Sequence, residues 1–319
     1  MAKQSFAGIA REQMIRLPQG KSCCMIYELG ALFKTAGNLT FRGGGKVQCA
    51  YRTESVALAR RIMLLLKNRL QIIPGVYFVN HPRLGGQKSC VLQLTEGDSI
   101  RLLTALHMME ESDGETRFKR MLPRRALTRI CCRRAFLRGA FLGSGYVSNP
   151  DKSYHLEIIA PDEAFAKILV SLMQKSALNA KIVDRKGSFV VYLKESQAIA
   201  DFLTLIGAHD AVVRMEDIRV TKSVRNNVNR VTNCDNANLE KQVNAAEKQT
   251  ANIAELVTLI GFDKLPPKLK EIAVLRLREP DASLKQLGEM LVPPLGKSGV
   301  SHRLKQIEDL IQGLKEESL

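Results

Sequence analysis

CCRRAFLRGAFLGSGYV, Cys131–Val147, has a second copy in this chain: CCMIYELGALFKTAGNL, Cys23–Leu39. Laid over one another without a gap, the copies share both cysteines, Leu29 with Leu137, Phe33 with Phe141 and Gly37 with Gly145. They also hold small residues, Ala31 and Gly139, at the same depth. Apolar Ile26, Leu29, Leu32 and Phe33 recur at helical spacing, as do Phe136, Leu137, Ala140 and Phe141, so each copy predicts a short helix with one apolar face. Gly37 and Gly145 stand where a left-handed residue would close such a helix. Small residues at mid-helix let two backbones approach closely. The copies are therefore expected to pack on each other as a pseudo-two-fold helix pair.

The surroundings of the copies repeat too. After the first, LTFRGGGKVQCAYRT reads as a hairpin turning at Gly43–Gly45. That triplet is not a phosphate loop, because no G-K-[ST] follows and its flanks read as strands. Ser55–Lys67 is helical, with Val56, Ala59, Ile62, Met63 and Leu66 on one face and Arg60, Arg61 and Lys67 largely outside it. GVYFVN and SCVLQLT form a second hairpin, and Ser99–Met109 a closing helix. After the second copy, YVSNPDKSYHLEIIA is a hairpin turning at Asn149-Pro150-Asp151. PDEAFAKILVSLMQK follows as a helix with proline and acids in its first turn. AKIVDRKGSFVVYLK turns at Arg185-Lys186-Gly187, and ESQAIADFLTLIGA is a helix closed by Gly207. Seven elements in the same order, twice, predict a duplicated αββαββα lobe.

The predicted organisation is an N-terminal helix (1–20) with Phe6, Ile9, Met14 and Ile15 inward, lobe one (21–111), a basic linker (112–130), lobe two (131–218), a helical connector (219–262) and an all-α C-terminal domain (263–319). The fold class is α+β. A formal net charge of +16 and a pI near 9.7 point to a polyanionic partner, with a plain solubility device as the other reading. Nucleic acid is favoured over a membrane, because the charge comes with no basic amphipathic anchor, no apolar h-region leads the chain and no apolar run nears about 18 residues. A cytosolic protein is expected.

The seven cysteines are odd in number and show no C-x-x-C spacing. A zinc site needs ligands that converge tetrahedrally, and the spacing shows no such set; reduced thiols, partly buried at helix starts, are expected, with a thiol redox switch as the other reading. The five histidines, His81, His107, His155, His209 and His302, form no H-E-x-x-H, and no serine sits in a nucleophile elbow. No catalytic residue, cofactor, metal or small-molecule substrate is expected.

Between the lobes, Arg117, Lys119, Arg120, Arg124, Arg125, Arg129, Arg133, Arg134 and Arg138 follow one another without an acid among them. A solvated linker is one reading. Contact with backbone phosphates, through Arg117 to Arg134 of that series, is the other, since a run this one-sided repels itself unless an anion is near.

Asp217–Thr232 is a basic, asparagine-rich helical stretch too polar for a core, and Leu239–Ile260 continues as helix to Gly261. Pro266 and Pro267 reset the chain before a helix at Lys268–Arg278. Ser283 and Gln286 make a capping box for SLKQLGEML. Ser298 is expected to cap the last helix, whose Val300, Leu304, Ile307, Ile311 and Leu314 form a packing stripe. That stripe leaves Ser301, His302, Lys305 and Gln306 outward, with Arg303 at its margin. A recognition helix needs this pattern, with base-edge donors on its first turns and phosphate anchors beside them. His302 and Gln306 are the candidate base readers, and Lys297 or Arg303, with backbone amides, the phosphate anchors. Lys285 is a backbone contact from the preceding helix, and Gln286, Ser298 and Ser301 complete the DNA-facing set. A plain three-helix bundle with a polar face has the same spacing. Pro293 and Pro294 make the connection longer than the usual turn of about three to four residues, which is closer to the region-four domain of sigma factors.

Two αββαββα lobes joined through paired helices with a small-residue seam resemble the LAGLIDADG homing endonuclease fold; the corresponding strings are LGALFKTAG, Leu29–Gly37, and LRGAFLGSG, Leu137–Gly145. The resemblance implies an acid before the last glycine of each copy, where two carboxylates hold divalent metal against the scissile phosphates. Here those positions are Ala36 and Ser144, so the scaffold is expected without the nuclease chemistry. With the C-terminal helices, the chain resembles WhiA, the bacterial sporulation and cell-division regulator family, over nearly its whole length. The strings that carry this are CCRRAFLRGAFLGSG, SYHLEI, IGAHDAVVRMEDIRV, RNNVNRVTNCDNANLEK and LGEM with KSGVSHRL. The resemblance implies a non-enzymatic, nucleoid-associated regulator of transcription, cell division, chromosome segregation or sporulation. It would bind double-stranded DNA through a C-terminal helix-turn-helix, with a transcription or division protein as further partner. An adaptor whose lobes recruit a protein, and an active endonuclease, are the competing readings.

Overall fold

The structure is a computed structural model that describes residues 5–42, 46–81, 87–112, 115–118, 128–185 and 187–317. It divides into two compact units, Met1–Thr221 and Lys222–Leu319.

Unit one opens with α1 (Phe6–Arg16), capped by the Ser5 hydroxyl, which accepts from Gly8 N–H. Lobe one follows as α2 (Ser22–Ala36), β1 (Gly37–Arg42), β2 (Lys46–Thr53), α3 (Val56–Leu70), β3 (Gly75–His81), β4 (Gln87–Gln93) and α4 (Glu96–Ala105). A short hairpin, β5 (Met109–Ser112) with β6 (Glu115–Phe118), occupies part of what the sequence suggested was plain linker. Lobe two repeats the order as α5 (Ile130–Ser144), β7 (Gly145–Val147), β8 (Leu156–Ala160), α6 (Glu163–Gln174), β9 (Lys181–Arg185), β10 (Ser188–Leu193) and α7 (Ser196–Ile206). The sheets run β1-β2-β4-β3 and β7-β8-β10-β9, antiparallel throughout. The duplicated α+β architecture expected from the repeat is thus present strand for strand.

α2 and α5 pack along their lengths at the centre of one continuous core that includes Leu29, Leu32, Phe136, Leu137, Phe141 and Phe202. The contact is close because its residues are small. A Cβ added at Gly139 would lie 2.5 Å from the Glu28 carbonyl oxygen, and one at Gly143 would lie 1.9 Å from Thr35 Oγ1. Gly37 and Gly145 serve the seam differently from the expectation. Both are extended, at φ −91° and −79°, rather than left-handed. They are glycine because a Cβ would strike the last turn of their own helices, 2.3 Å from the Phe33 carbonyl and 2.4 Å from the Phe141 ring. Gly207, at φ +94°, is a left-handed helix terminus as predicted.

The central charge of this core was not foreseen. Glu28 is fully buried on α2 and accepts from two arginines. Arg61 of α3 donates from Nε and Nη2 to Oε1 and Oε2 at 2.5 and 3.1 Å, and Arg138 of α5 donates from Nε and Nη2 to Oε2 at 3.0 and 2.8 Å. Arg61 also donates to the carbonyls of Ile15 and Leu17 at 2.9 and 2.7 Å. Arg61 is therefore a core residue, which corrects its assignment to the outer face of its helix. It lies three residues after Leu58 and four before Leu65, on the buried side, and its charge is tolerated there only because a carboxylate and two carbonyls meet it.

α8 (His209–Ile260) is one unbroken helix that begins in unit one and ends in unit two. Unit two continues with α9 (Pro267–Arg278), α10 (Leu284–Met290) and α11 (Lys297–Glu317). Its core joins Ile253 and Leu256 of α8 to Leu269, Ile272, Leu287, Val300, Leu304, Ile307 and Ile311. Part of the connector thus belongs to the C-terminal core. The capping box is formed: Ser283 Oγ accepts from Gln286 N–H at 3.3 Å, and Gln286 Oε1 accepts from Ser283 N–H at 2.8 Å. We expect Ser283→Ala to cost about 1 kcal/mol of local stability. Amide-exchange protection of residues 284–290 in the full chain should then fall roughly fivefold, with Ser283→Thr close to the parent.

Candidate nucleic-acid interface

α11 presents the predicted face. Val300, Leu304, Ile307 and Ile311 are buried, while Lys297, Ser298, Ser301, His302, Lys305 and Gln306 are exposed. At 3.6 residues per turn Ser298, His302, Lys305 and Gln306 line the side of the helix away from the packing stripe, Ser301 lies on its flank, and Lys297, seven residues before Leu304, is exposed at the edge of the stripe where the helix begins. Among the described residues, none of the six side chains is held by a hydrogen bond or ion pair. The helix starts at Lys297, and Val300 N–H donates to the Gly296 carbonyl at 3.1 Å, so Ser298 lies inside the first turn rather than capping it.

The remaining tail candidates are differently placed. Arg303 is turned back into the protein, where its Nη1 donates to Glu271 Oε2 at 3.2 Å and to the Lys268 carbonyl at 3.3 Å. The Gln286 carbonyl oxygen is committed to the α10 cap. Lys285 is exposed, 3.9 Å from Glu289 one turn on. The connection between α10 and α11 is pinned by Leu295 N–H, which donates to the Gly288 carbonyl at 2.9 Å. Only glycine fits at 288, since a Cβ would sit 2.0 Å from the Leu295 oxygen. The longer, proline-bearing loop is thereby folded tightly onto α10.

Of the basic series, Arg129 and Arg134 are exposed and Arg133 is half-buried at the start of α5. Arg117 lies on β6, and Lys119, Arg120, Arg124 and Arg125 lie outside the described residues. Arg138 is occupied by Glu28.

At the other end of the helix pair, the two positions where the LAGLIDADG resemblance implies acids carry none. Ala36 offers a methyl group, and Ser144 Oγ donates to the Ile159 carbonyl at 2.6 Å. A guanidinium stands at the end of α5: Arg11 donates to the carbonyls of Leu142, at 3.0 Å, and Gly145, and stacks over the Phe141 ring. Burial lowers the Arg11 pKa from its usual value. A cation at a helix C-terminus satisfies the dipole and the orphan carbonyls, and it repels the divalent metal that cleavage would need.

The N-terminal ends of the same helices carry the cluster that spacing did not reveal. Cys23, Cys24, Cys131 and Cys132 place their sulfurs within 4.8 Å of one another, which corrects the expectation that no convergent ligand set exists. The two adjacent pairs converge only when α2 and α5 pair. Burial pushes the Cys24 thiol up to about 11 and raises Cys132 further. For Cys23 burial also raises, but hydrogen bonds with Cys132 and Cys24 and the charge of Arg129 outweigh it and set this thiol below its ordinary value.

Three family models match the chain in succession: the WhiA N-terminal LAGLIDADG-like domain over residues 22–109, the WhiA LAGLIDADG-like domain over 133–225 and the WhiA C-terminal HTH domain over 228–311. A "Probable cell division protein WhiA" of Heliobacterium modesticaldum is 44% identical over 308 residues, covering 97% of this chain and 96% of that protein. The chain belongs to the WhiA family. A second WhiA relative, from Desulforamulus reducens, is 43% identical and covers 98% of this chain and 96% of its own length. The crystal structure of full-length DUF199/WhiA from Thermatoga maritima superposes with a TM-score of 0.57 at 24% identity, covering 97% of each chain, and confirms the fold. The WhiA HTH match begins inside α8, in keeping with the contribution of Ile253 and Leu256 to the C-terminal core. The relatives bear the name "Probable cell division protein WhiA", the family models describe LAGLIDADG-like domains, and this chain, with Ala36 and Ser144 at the positions of the acids, is not an endonuclease.

Proposed function

We propose that this chain is a sequence-specific DNA-binding regulator acting in cell division, chromosome segregation or sporulation, cytoplasmic and associated with the nucleoid. The observation that carries it is the α11 face, where six polar side chains point outward on the first three turns without a partner among the described residues, inside a domain matched by an HTH family. α11 enters the major groove, His302 and Gln306 read base edges, and Lys297, Ser298, Ser301 and Lys305 fix phosphates, with Lys285 as an outlying contact. Arg129 and Arg134 add phosphate contacts from the body, as do Arg117, Lys119, Arg120, Arg124, Arg125 and Arg133 if the basic series tracks a backbone. Arg303 and Gln286 take structural roles. The relatives' name supports the cell-division setting, in which the duplicated body offers a surface for a transcription or division protein.

The test is selection of a preferred site from random duplexes by the full-length protein, followed by binding of point variants. His302→Ala and Gln306→Ala should each lose about 5- to 150-fold on the preferred site, the equivalent of about 1–3 kcal/mol, while changing non-specific binding little. Lys297→Gln and Lys305→Gln should weaken binding to all sequences and reduce the salt slope by about 1 each. Unchanged site preference in the first pair would sink this reading.

A further inference from the structure

Neither the empty-handed nuclease seam nor the DNA-reading helix uses the four thiols gathered at the start of α2 and α5. We infer that Cys23, Cys24, Cys131 and Cys132 form a tetrahedral site for one zinc ion that clamps the N-terminal ends of the helix pair. This inference is independent of the DNA reading.

The geometry fits a single small ion. A tetrahedron with Zn–S bonds of about 2.3 Å has sulfur–sulfur edges of about 3.8 Å. Cys131 and Cys132 already stand 3.9 Å apart, and all four sulfurs lie within 4.8 Å. Closing on an ion therefore needs sulfur movements of about 1 Å or less, within the reach of χ1 adjustments. A cubane iron–sulfur cluster would have to hold its cysteines further apart. The donors are all sulfur, which selects a soft or borderline ion such as zinc over magnesium or calcium.

The surroundings suit the charge that results. Binding converts four thiols to thiolates, releases four protons to solvent and leaves a complex of net charge minus two. Two helices begin at that point, with N-caps Lys21 and Arg129 that make no side-chain capping bond. The positive ends of two helix dipoles and the charge of Arg129, which acts on Cys23, thus favour an anionic centre there. Cys24 and Cys132 are buried against Ala135, with Tyr27 packed alongside, whereas Cys23 and Cys131 are half-exposed and leave a path of entry. Each lobe supplies two ligands, so the ion ties the repeats together. The site lies at the opposite end of each helix from Ala36 and Ser144, about 20 Å away at 1.5 Å per residue.

The full-length protein, stripped of metal under reductant, should be titrated anaerobically with Co²⁺. Thiolate-to-cobalt charge-transfer and intense tetrahedral d–d bands are expected to saturate at about one Co²⁺ per chain, and an equivalent of Zn²⁺ should bleach them. Cys23→Ser with Cys131→Ser, which alters only the half-exposed pair, should weaken Co²⁺ binding by more than about 100-fold, beyond what loss of an outer hydrogen-bond partner causes. Circular dichroism should show that variant folded, and Cys234→Ser should bind as the parent does. Absent bands, bands that survive the double substitution, or four cysteines recovered as disulfides from reductant-treated protein would each overturn the site.

Discussion

Glu28→Ala should lower the stability of unit one by about 3–5 kcal/mol, because it leaves two guanidiniums in the core without their common anion. Arg61 is 3% exposed and the Arg138 side chain 12% exposed, so neither can turn to water without breaking the packing around it. In the full-length protein the thermal transition of this unit should fall by on the order of 10 °C. Glu28→Gln keeps a hydrogen-bond acceptor but not the charge and should fall between parent and alanine variant. A complementary variant, Glu28→Met with Arg61→Met and Arg138→Leu, should recover much of the loss, since buried ion sets stabilise little relative to a well-packed apolar replacement. A shift under about 1 kcal/mol for Glu28→Ala would mean that water reaches the trio, contrary to the burial seen here.

Gly139→Val should be comparably damaging for a steric reason. Even the first carbon of the new side chain would fall 2.5 Å from the Glu28 carbonyl oxygen and 3.1 Å from Ala31 Cβ. A backbone carbonyl in the middle of a helix cannot move aside alone, so α2 and α5 must separate. Overpacking ordinarily costs about 1–3 kcal/mol. The cost here should reach or exceed the top of that range, because separation also lengthens the Arg138 to Glu28 hydrogen bonds. Gly139→Ala should show a smaller loss of the same sign. A chemical-denaturation series across parent, Gly139→Ala and Gly139→Val reads this directly, and equal midpoints would refute the close approach.

Much of this architecture was legible before any coordinates. Helical spacing in the two repeated strings, alternation in the hairpins and the capping signals at Ser283 and Gly207 are local properties, and the structure contains each of the corresponding elements. The α11 stripe was equally readable, since Val300, Leu304, Ile307 and Ile311 fix which side of the helix is buried and therefore which side is free. What failed locally did so for identifiable reasons. Gly37 and Gly145 suggested a left-handed terminus, but glycine is demanded there by contact with Phe33 and Phe141. Arg303 stood at the margin of the stripe as a phosphate anchor, yet its long side chain reaches back to Glu271, and Gln286, counted among the DNA-facing residues, has its side-chain oxygen held in the cap that the sequence also predicted.

By itself, then, the sequence determined the duplication, the element order and the outward face of the last helix, and its resemblance to the LAGLIDADG family added that Ala36 and Ser144 stand where that family has acids. These follow from spacing along one segment or from the identity of single residues. Only the tertiary structure decided the Glu28, Arg61 and Arg138 trio, the guanidinium of Arg11 at the C-terminal end of α5 and the convergence of four thiols at the N-terminal ends of the helix pair. Each joins side chains from segments far apart in the chain, and their distances are set by how α2 and α5 pack, which no periodicity within either helix encodes.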